Sequence, residues 1–370
     1  MTLFQFTLKN LLRRPTRTVL TIMGIGLGIG AVVALLGLAW GLGESWSDAY
    51  KARRTDLVVR KTGGGFLAQP FPDKLADEVR GTAGVAAAAN LLTEILSIEE
   101  VPTMVVSGRE WGSFLWDTLE IIDGKLPAAA TDKSVVLGKL AAEMLEKKVG
   151  DTLTIEVDDF KVAAIVDGKA VVENGAIIMA LPLLQEVTGK TGQVNFINIR
   201  LDHKGEDPHT VAKLIEQKVA GCRVDIADQV VANNDGVKTF EAMNWGTSAI
   251  AILVGTFGVM NTMFMSVFER SREIGILIAL GWKRARILRM IVWESVALCV
   301  AAGVVGIIAG MGLLKLLSVS PWMQGRLEPH FGWDLVGLAM GLAVVVGLAS
   351  GFFPALHCTK INPSIAIRSA

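Results

Sequence analysis

The chain has 370 residues, 51% of them hydrophobic and 19% charged, whereas average soluble domains carry about 25% charged residues. Basic and acidic side chains balance at 36 each, so net charge gives no support to a nucleic-acid partner. The balance is uneven along the chain, because residues 44–240 hold 22 Lys and Arg against 30 Asp and Glu and the remainder holds 14 against 6, which suits a protein divided between two sides of a membrane.

The first apolar run, 19–42, exceeds the roughly 20 residues a spanning helix needs and follows Lys9, Arg13, Arg14 and Arg17. A signal peptide is disfavoured, since signal cores span about 7–15 residues and Trp40-Gly41-Leu42-Gly43-Glu44 offers no small-residue cleavage site. Residues 44–240 then read as a folded α+β domain. β-formers cluster at 56–60, 103–107, 152–157, 160–166, 176–180 and 195–201, with helical patterns at 72–80, 137–147, 181–188 and 208–219. Gly63-Gly64-Gly65 marks a turn. Further apolar runs follow at 247–268, 287–317 and 335–356, and Trp245, Trp282, Trp293, Trp322 and Trp333 fall near their ends as an aromatic belt would. The expected architecture is four transmembrane helices with a large external α+β domain between the first two. Its parts are 1–43, the domain 44–240, and 241–370 with a cytoplasmic segment at 269–289 and a cytoplasmic tail.

Orientation follows from basic residues in the short connections. Arg270, Arg272, Lys283, Arg284, Arg286 and Arg289 lie between the second and third runs, but only Arg326 lies between the third and fourth. The first connection is therefore expected in the cytoplasm with both termini, in agreement with Lys360 and Arg368. Lys51, Arg53 and Arg54, just outside the first run, dilute this bias.

Several motifs lead away from catalysis. Gly24, Gly26, Gly28 and Gly30 lack the strand and βαβ unit of a dinucleotide site, and are spaced instead for close helix contact, within one chain or between two protomers. Gly189-Lys190-Thr191 has Leu184 where a phosphate loop needs glycine. His203, His209, His330 and His357 form no HExxH, no GxSxG occurs, and Cys222, Cys299 and Cys358 form no CxxC pair. Asp158-Asp159 and Glu99-Glu100 read as surface charge. Glu294, inside the third run, is a functional candidate or a contact for a basic neighbour such as Arg289 or Arg286. Trp111, Trp116, Phe66, Phe71 and Phe114 could grip an apolar ligand, with core packing as the alternative.

The most informative segment runs from Glu269 through Arg270, Arg272, Glu273, Ile274, Gly275, Leu277, Ala279, Leu280 and Gly281 to Lys283-Arg284. Mixed charge and apolar ridges at i,i+4 spacing describe a short helix suited to docking on another protein. Here the chain resembles the FtsX-like permease family in its macrolide-exporter and lipoprotein-releasing branch. Asn261 and the 269–281 motif match the family's second span and cytoplasmic turn. Glu294 with Gly303 and Gly306 resembles its third span. Pro354-Ala355 and Asn362-Pro363 with Ala366-Ile367-Arg368 resemble its tail, Lys9 to Arg14 with Arg17 its opening, and Asp123-Gly124, Val136-Leu137-Gly138 and Gly150-Asp151 its external core. The family usually carries a basic pair where Pro354-Ala355-Leu356-His357-Cys358 runs.

The resemblance implies a non-enzymatic permease in the bacterial inner membrane. No cofactor would be bound directly, ATP and Mg being handled by a separate ABC ATPase that docks on 269–281. A second protomer is expected, with Gly24, Gly28, Asn261, Glu294, Gly303 and Gly306 serving transmembrane packing or the dimer contact. A periplasmic adaptor and membrane lipid are further expected partners. Such a permease moves its external domain as a lever (mechanotransmission) to export or extract a lipid, lipoprotein, peptide, haem or hydrophobic compound. The alternative is a membrane scaffold that regulates an external partner such as a cell-wall hydrolase.

Overall fold

The computed structural model describes residues 15–61, 68–99, 101–202, 207–219, 221–319 and 328–359. The opening motif at 9–14, Gly63-Gly64-Gly65, Phe66, Glu100, His203, Trp322, Arg326, Lys360 and the 362–368 tail lie outside them, as does the side chain of Arg17. In chain order the elements begin with α1 (Pro15–Ala52), β1 (Leu57–Lys61), β2 (Phe71–Pro72), α2 (Leu75–Arg80), β3 (Val85–Ile98) and β4 (Val101–Arg109). There follow α3 (Phe114–Asp117), β5 (Glu120–Gly124), β6 (Ser134–Gly138), α4 (Lys139–Leu145), β7 (Thr152–Ile155) and β8 (Asp158–Asp167). Next come α5 (Val171–Asn174), β9 (Ala176–Ala180), α6 (Leu181–Val187), β10 (Gln193–Val194), β11 (Phe196–Leu201), α7 (Pro208–Lys218) and β12 (Cys222–Ile226). The last are α8 (Val230–Asn233), α9 (Asp235–Glu269), α10 (Ser271–Ala279), α11 (Arg284–Val319) and α12 (Trp333–Thr359).

Among the described residues, four helices are long and apolar enough to cross a membrane: Thr18–Ala52, Asp235–Glu269, Arg284–Val319 and Trp333–His357. Each contains one of the expected apolar runs. The chain divides into two compact units, Met1–Leu38 with Ala242–Leu316 and His330–Ala370, and Ala39–Glu241 with Leu317–Pro329.

In the first unit, glycines let helices meet backbone to backbone. A Cβ on Gly306 of α11 would lie 2.6 Å from the Gly26 carbonyl oxygen of α1, and one on Gly310 would lie 2.7 Å from that of Gly30. Between α11 and α12, a Cβ on Gly303 would meet Ala343 of α12 at 2.9 Å, and one on Gly347 would meet the Val296 Cα at 2.7 Å. Ser295 and Ser350 hydroxyls, 3.0 Å apart and buried, satisfy each other between α11 and α12. Without a hydrophobic drive between helices in lipid, such close backbone approach supplies the packing.

The second unit is built on a ten-stranded mixed sheet in the order β12-β1-β11-β3-β4-β9-β6-β8-β5. β4 with β9 and β6 with β8 run parallel, while the other pairs are antiparallel. β7 pairs with β8 and, through Ile98 opposite Ile155, with β3, so the pairings β3-β4-β9-β6-β8-β7 return to β3. A large apolar core joins Leu57, Leu92, Leu137, Phe160 and Ile197 of the strands to Val79 of α2, Leu184 of α6 and Ile215 of α7. A second cluster, including Tyr50 of α1, Phe114 and Leu115 of α3 and Phe196 of β11, brings the end of α1 into the packing of this unit.

Candidate functional site

The short helix expected at the cytoplasmic turn is present as α10. Ile274 and Gly275 are its buried side, while Arg272, Glu273, Ile276, Ala279 and Leu280 are exposed and Leu277 is half-buried. Leu280 is 73% exposed and Ile276 43%, so an apolar stripe flanked by charge is presented outward. Gly281 ends the helix with φ +87°, its N–H reaching the Ile278 carbonyl at 2.9 Å and that of Trp282 the Leu277 carbonyl at 3.1 Å. Glycine takes this left-handed turn without a Cβ penalty, which makes it the natural stop before α11.

The base of α10 is fixed by Arg270. Its guanidinium lies 3.3 Å from Glu294 Oε2 and 3.4 Å from Oε1, and its Nε lies 3.4 Å from Glu273. Glu294 is buried, about three turns into α11. Its partner is thus Arg270 and not the expected Arg289 or Arg286. Arg289 instead donates to the Ala285 carbonyl at 3.4 Å, and Arg286 lies over the Trp282 ring at 4.9 Å. Two residues singled out separately, one for docking and one for packing, form one ion pair.

The glycines of α1 divide between two faces. Gly26 and Gly30 are buried against α11, whereas nothing lies within 4 Å of a Cβ on Gly24 and only the Ala251 carbonyl, at 3.6 Å, approaches one on Gly28. Gly24 and Gly28 instead line a groove of about 730 Å³ with Thr21, Gly255, Gly258 and Thr262 of α1 and α9. Asn261 is exposed on α9. Gly303 and Gly306 pack against α12 and α1, inside one chain.

Two buried ion-pair clusters were not visible in the sequence. Arg53, in the turn after α1, is 1% exposed and donates from Nε to Glu173 Oε1 at 2.8 Å. Arg109 of β4, wholly buried, pairs with the other oxygen of Glu173 and donates to the Leu115 carbonyl at 2.7 Å. Gly138 and Gly168 admit this arrangement, since a Cβ on the first would meet the Asn174 carbonyl at 2.4 Å and one on the second the Glu173 Cβ at 2.4 Å. Burial works against the Glu173 charge, but Arg109 and Arg53 outweigh it and hold the carboxyl below the usual carboxylate range. In the second cluster Arg60 of β1 donates to Asp225 of β12 at 2.9 Å and to the Asn233 carbonyl at 3.0 Å. Asn233 returns a bond from Nδ2 to Asp225 at 2.7 Å, and Asn234 caps α9 by accepting from Gly236 N–H at 2.9 Å.

The remaining candidates resolve as structure. Phe71, Phe114 and Trp116 are buried, and Trp111 meets Trp116 edge to face at 5.0 Å, so packing accounts for them. Lys190 pairs with Glu94 in the turn after α6.

Comparison with known proteins places these features. Residues 18–218 match the family model described as MacB-like periplasmic core domain, and residues 245–363 match FtsX-like permease C-terminal. An uncharacterised ABC transporter permease of Methanocaldococcus jannaschii is 26% identical over 98% of this chain and 96% of its own length. The macrolide export ATP-binding/permease protein MacB of Brucella melitensis is 26% identical over 95% of this chain; the match spans only 58% of that relative. The periplasmic region of MacB from Actinobacillus actinomycetemcomitans covers 50% of this chain with 14% identity and a TM-score of 0.39. With both family models matched along its length, the chain belongs to the FtsX-like ABC transporter permeases that carry a MacB-like periplasmic core domain.

Proposed function

We propose that this permease couples a separate ABC ATPase, docked on α10, to movement of its external domain, working as a homodimer in the cytoplasmic membrane with both termini inside. The observation that carries this reading is the exposed stripe of α10, anchored by the Arg270–Glu294 pair. A force applied to such a helix reaches α11 through this part-buried charge contact. The Methanocaldococcus relative supports it, being named a permease and matched over 96% of its length. The groove lined by Gly24 and Gly28 is the surface proposed for the second protomer, since small residues allow close helix approach. Cargo would be a lipid, lipoprotein, peptide, haem or hydrophobic compound, handled with a periplasmic adaptor.

The test is a mild-detergent pull-down of the tagged chain from its native host beside Glu273→Lys, with partners identified by mass spectrometry. Glu273 is exposed on the docking face, so charge reversal is expected to lower recovery of a Walker-motif ATPase by roughly tenfold or more, as loss of an interfacial charge pair does. Membrane insertion should be unchanged. Absence of any ATPase from the wild-type sample in several detergents would overturn the reading in favour of an ATP-independent scaffold.

A further inference from the structure

We infer that Arg53 and Arg60 are positioning residues through which the first two spans move the external domain; the inference rests on the ATP-driven motion proposed above. The first junction between a long helix and the sheet is the step from α1 into β1. α1 ends at Ala52, and the chain enters β1 at Leu57 with no slack between them. Arg54 takes a left-handed φ of +52° and Thr55 N–H bonds back to the Tyr50 carbonyl at 3.1 Å. Asp56 then holds β11 and β12 together: its N–H donates to the Ile199 carbonyl at 2.8 Å, its side chain accepts from Leu201 N–H at 2.8 Å, and its carbonyl accepts from Ala227 N–H at 2.9 Å. At this junction Arg53 reaches through Glu173 to Arg109, linking the end of α1 to α5 and β4.

The start of α9 is held in a matching way. Arg60 grips the Asn233 carbonyl and Asp225 together, so the residues that lead into and cap α9 are fixed to β1 and β12. β1 therefore carries one clamp at its own end and follows directly from the other. Arg53, Glu173, Arg109, Arg60 and Asp225 are each at most 3% exposed.

Burial of charge is a weak source of stability, because apolar groups of similar volume often stabilise a core as well or better. What a planar guanidinium supplies is fixed direction: Arg60 holds Asp225 and the Asn233 carbonyl at once, and Arg53 is set by its Nε bond to Glu173. An apolar contact between helix and sheet can slide, but a buried ion pair that slides gives up its charge-assisted hydrogen bonds. Ion pairs are found here at the two junctions a lever would load.

The experiment uses the full permease with its copurified ATPase in lipid nanodiscs. Native cysteines are replaced, and one spin label per protomer is placed either at exposed Lys161 of β8 or at exposed Lys283 beside α10. Distances between protomers are read with and without a non-hydrolysable ATP analogue. In wild type both distances should change. In Arg53→Lys/Arg60→Lys, which keeps charge and removes the forked geometry, the Lys283 change should persist and the Lys161 change should fall to a third or less. An Arg53→Met/Glu173→Leu/Arg109→Met variant, packed without charge, should behave the same way and serves if the lysine variant does not fold. A full Lys161 response in either folded variant would overturn the inference and leave the coupling reading standing. No Lys161 response in wild type would instead overturn the ATP-driven motion itself, and the inference with it.

Discussion

Glu173→Leu should destabilise the external domain by about 3–5 kcal/mol, the range for removing one partner of a buried ion pair. The loss arises because Arg53 and Arg109, at 1% and 0% side-chain exposure, would remain charged and buried without a counter-ion. Guanidinium keeps its proton under all ordinary conditions, so neither arginine can escape by neutralising. For a domain of this size the change corresponds to a fall in Tm of roughly 6–20 °C. Near-ultraviolet dichroism of the detergent-solubilised chain would record it, since Trp111 and Trp116 pack edge to face inside this unit. Replacing all three residues with Met, Leu and Met should recover most of the loss; an unchanged Tm in Glu173→Leu alone would show that the cluster is not a buried charge network. The pH dependence has a definite sign. The Glu173 carboxyl is held below its ordinary range in the folded state, so its contribution is complete above the unfolded carboxylate pKa of about 4.3 and is lost as pH falls through the folded value. Wild type should therefore lose stability on the acid side of that range, and the Met/Leu/Met variant should lose less.

Gly306→Val should separate α1 from α11, whereas Gly24→Val should leave the chain's own packing unchanged. At Gly306 the added Cβ would face the Gly26 carbonyl at 2.6 Å, the Ile29 Cβ at 3.0 Å and the Gly30 nitrogen at 3.1 Å. Two of these are backbone atoms that cannot turn aside, so overpacking of about 1–3 kcal/mol is the minimum expected. Thermal melting followed by size-exclusion chromatography would show early loss of the folded peak. Gly24 has nothing within 4 Å, so valine there should melt with wild type while weakening self-association, because it fills the groove shared with α9. A Gly24→Val chain that remained as dimeric as wild type would refute the proposed protomer contact. Equal melting of wild type and Gly306→Val would refute the tight α1–α11 crossing.

These two cases mark what the sequence could and could not convey. Four long apolar runs announce themselves because lipid demands uninterrupted length, and α10 is readable from its i,i+4 charge and apolar spacing. β3 is harder. Its sequence, VAAAANLLTEILSI, opens on alanines that favour helix, yet six consecutive residues in its middle are buried because both faces of the strand are covered. Such a strand has no alternation to read. Arg53 shows the same limit for charge. Counted with Lys51 and Arg54 it weakens the basic-residue bias, but it is buried against Glu173, far along the chain, while Lys51 is exposed and paired to Asp48 at 2.9 Å. Of the three, Lys51 and Arg54 are exposed and Arg53 alone is buried. Likewise Glu294 meets Arg270 from across the turn, because helix α10 folds the chain back, where spacing alone had favoured basic residues nearer in α11.

The strand order also governs how this protein can be made. Among the described strands, β1 has β11 and β12 as its neighbours in the sheet, and these end at Leu201 and Ile226, before α9 begins. At synthesis rates of about 5–20 residues per second, β1 waits roughly 10–35 s for its neighbours to be produced. During that interval its apolar face, Leu57 and Val59, has no sheet to join. The newborn segment must be kept from aggregating until the second long helix is about to emerge. A ribosome stalled before residue 222 would hold a domain unable to complete its sheet, so chaperone capture of stalled chains should fall sharply once β12 is exposed.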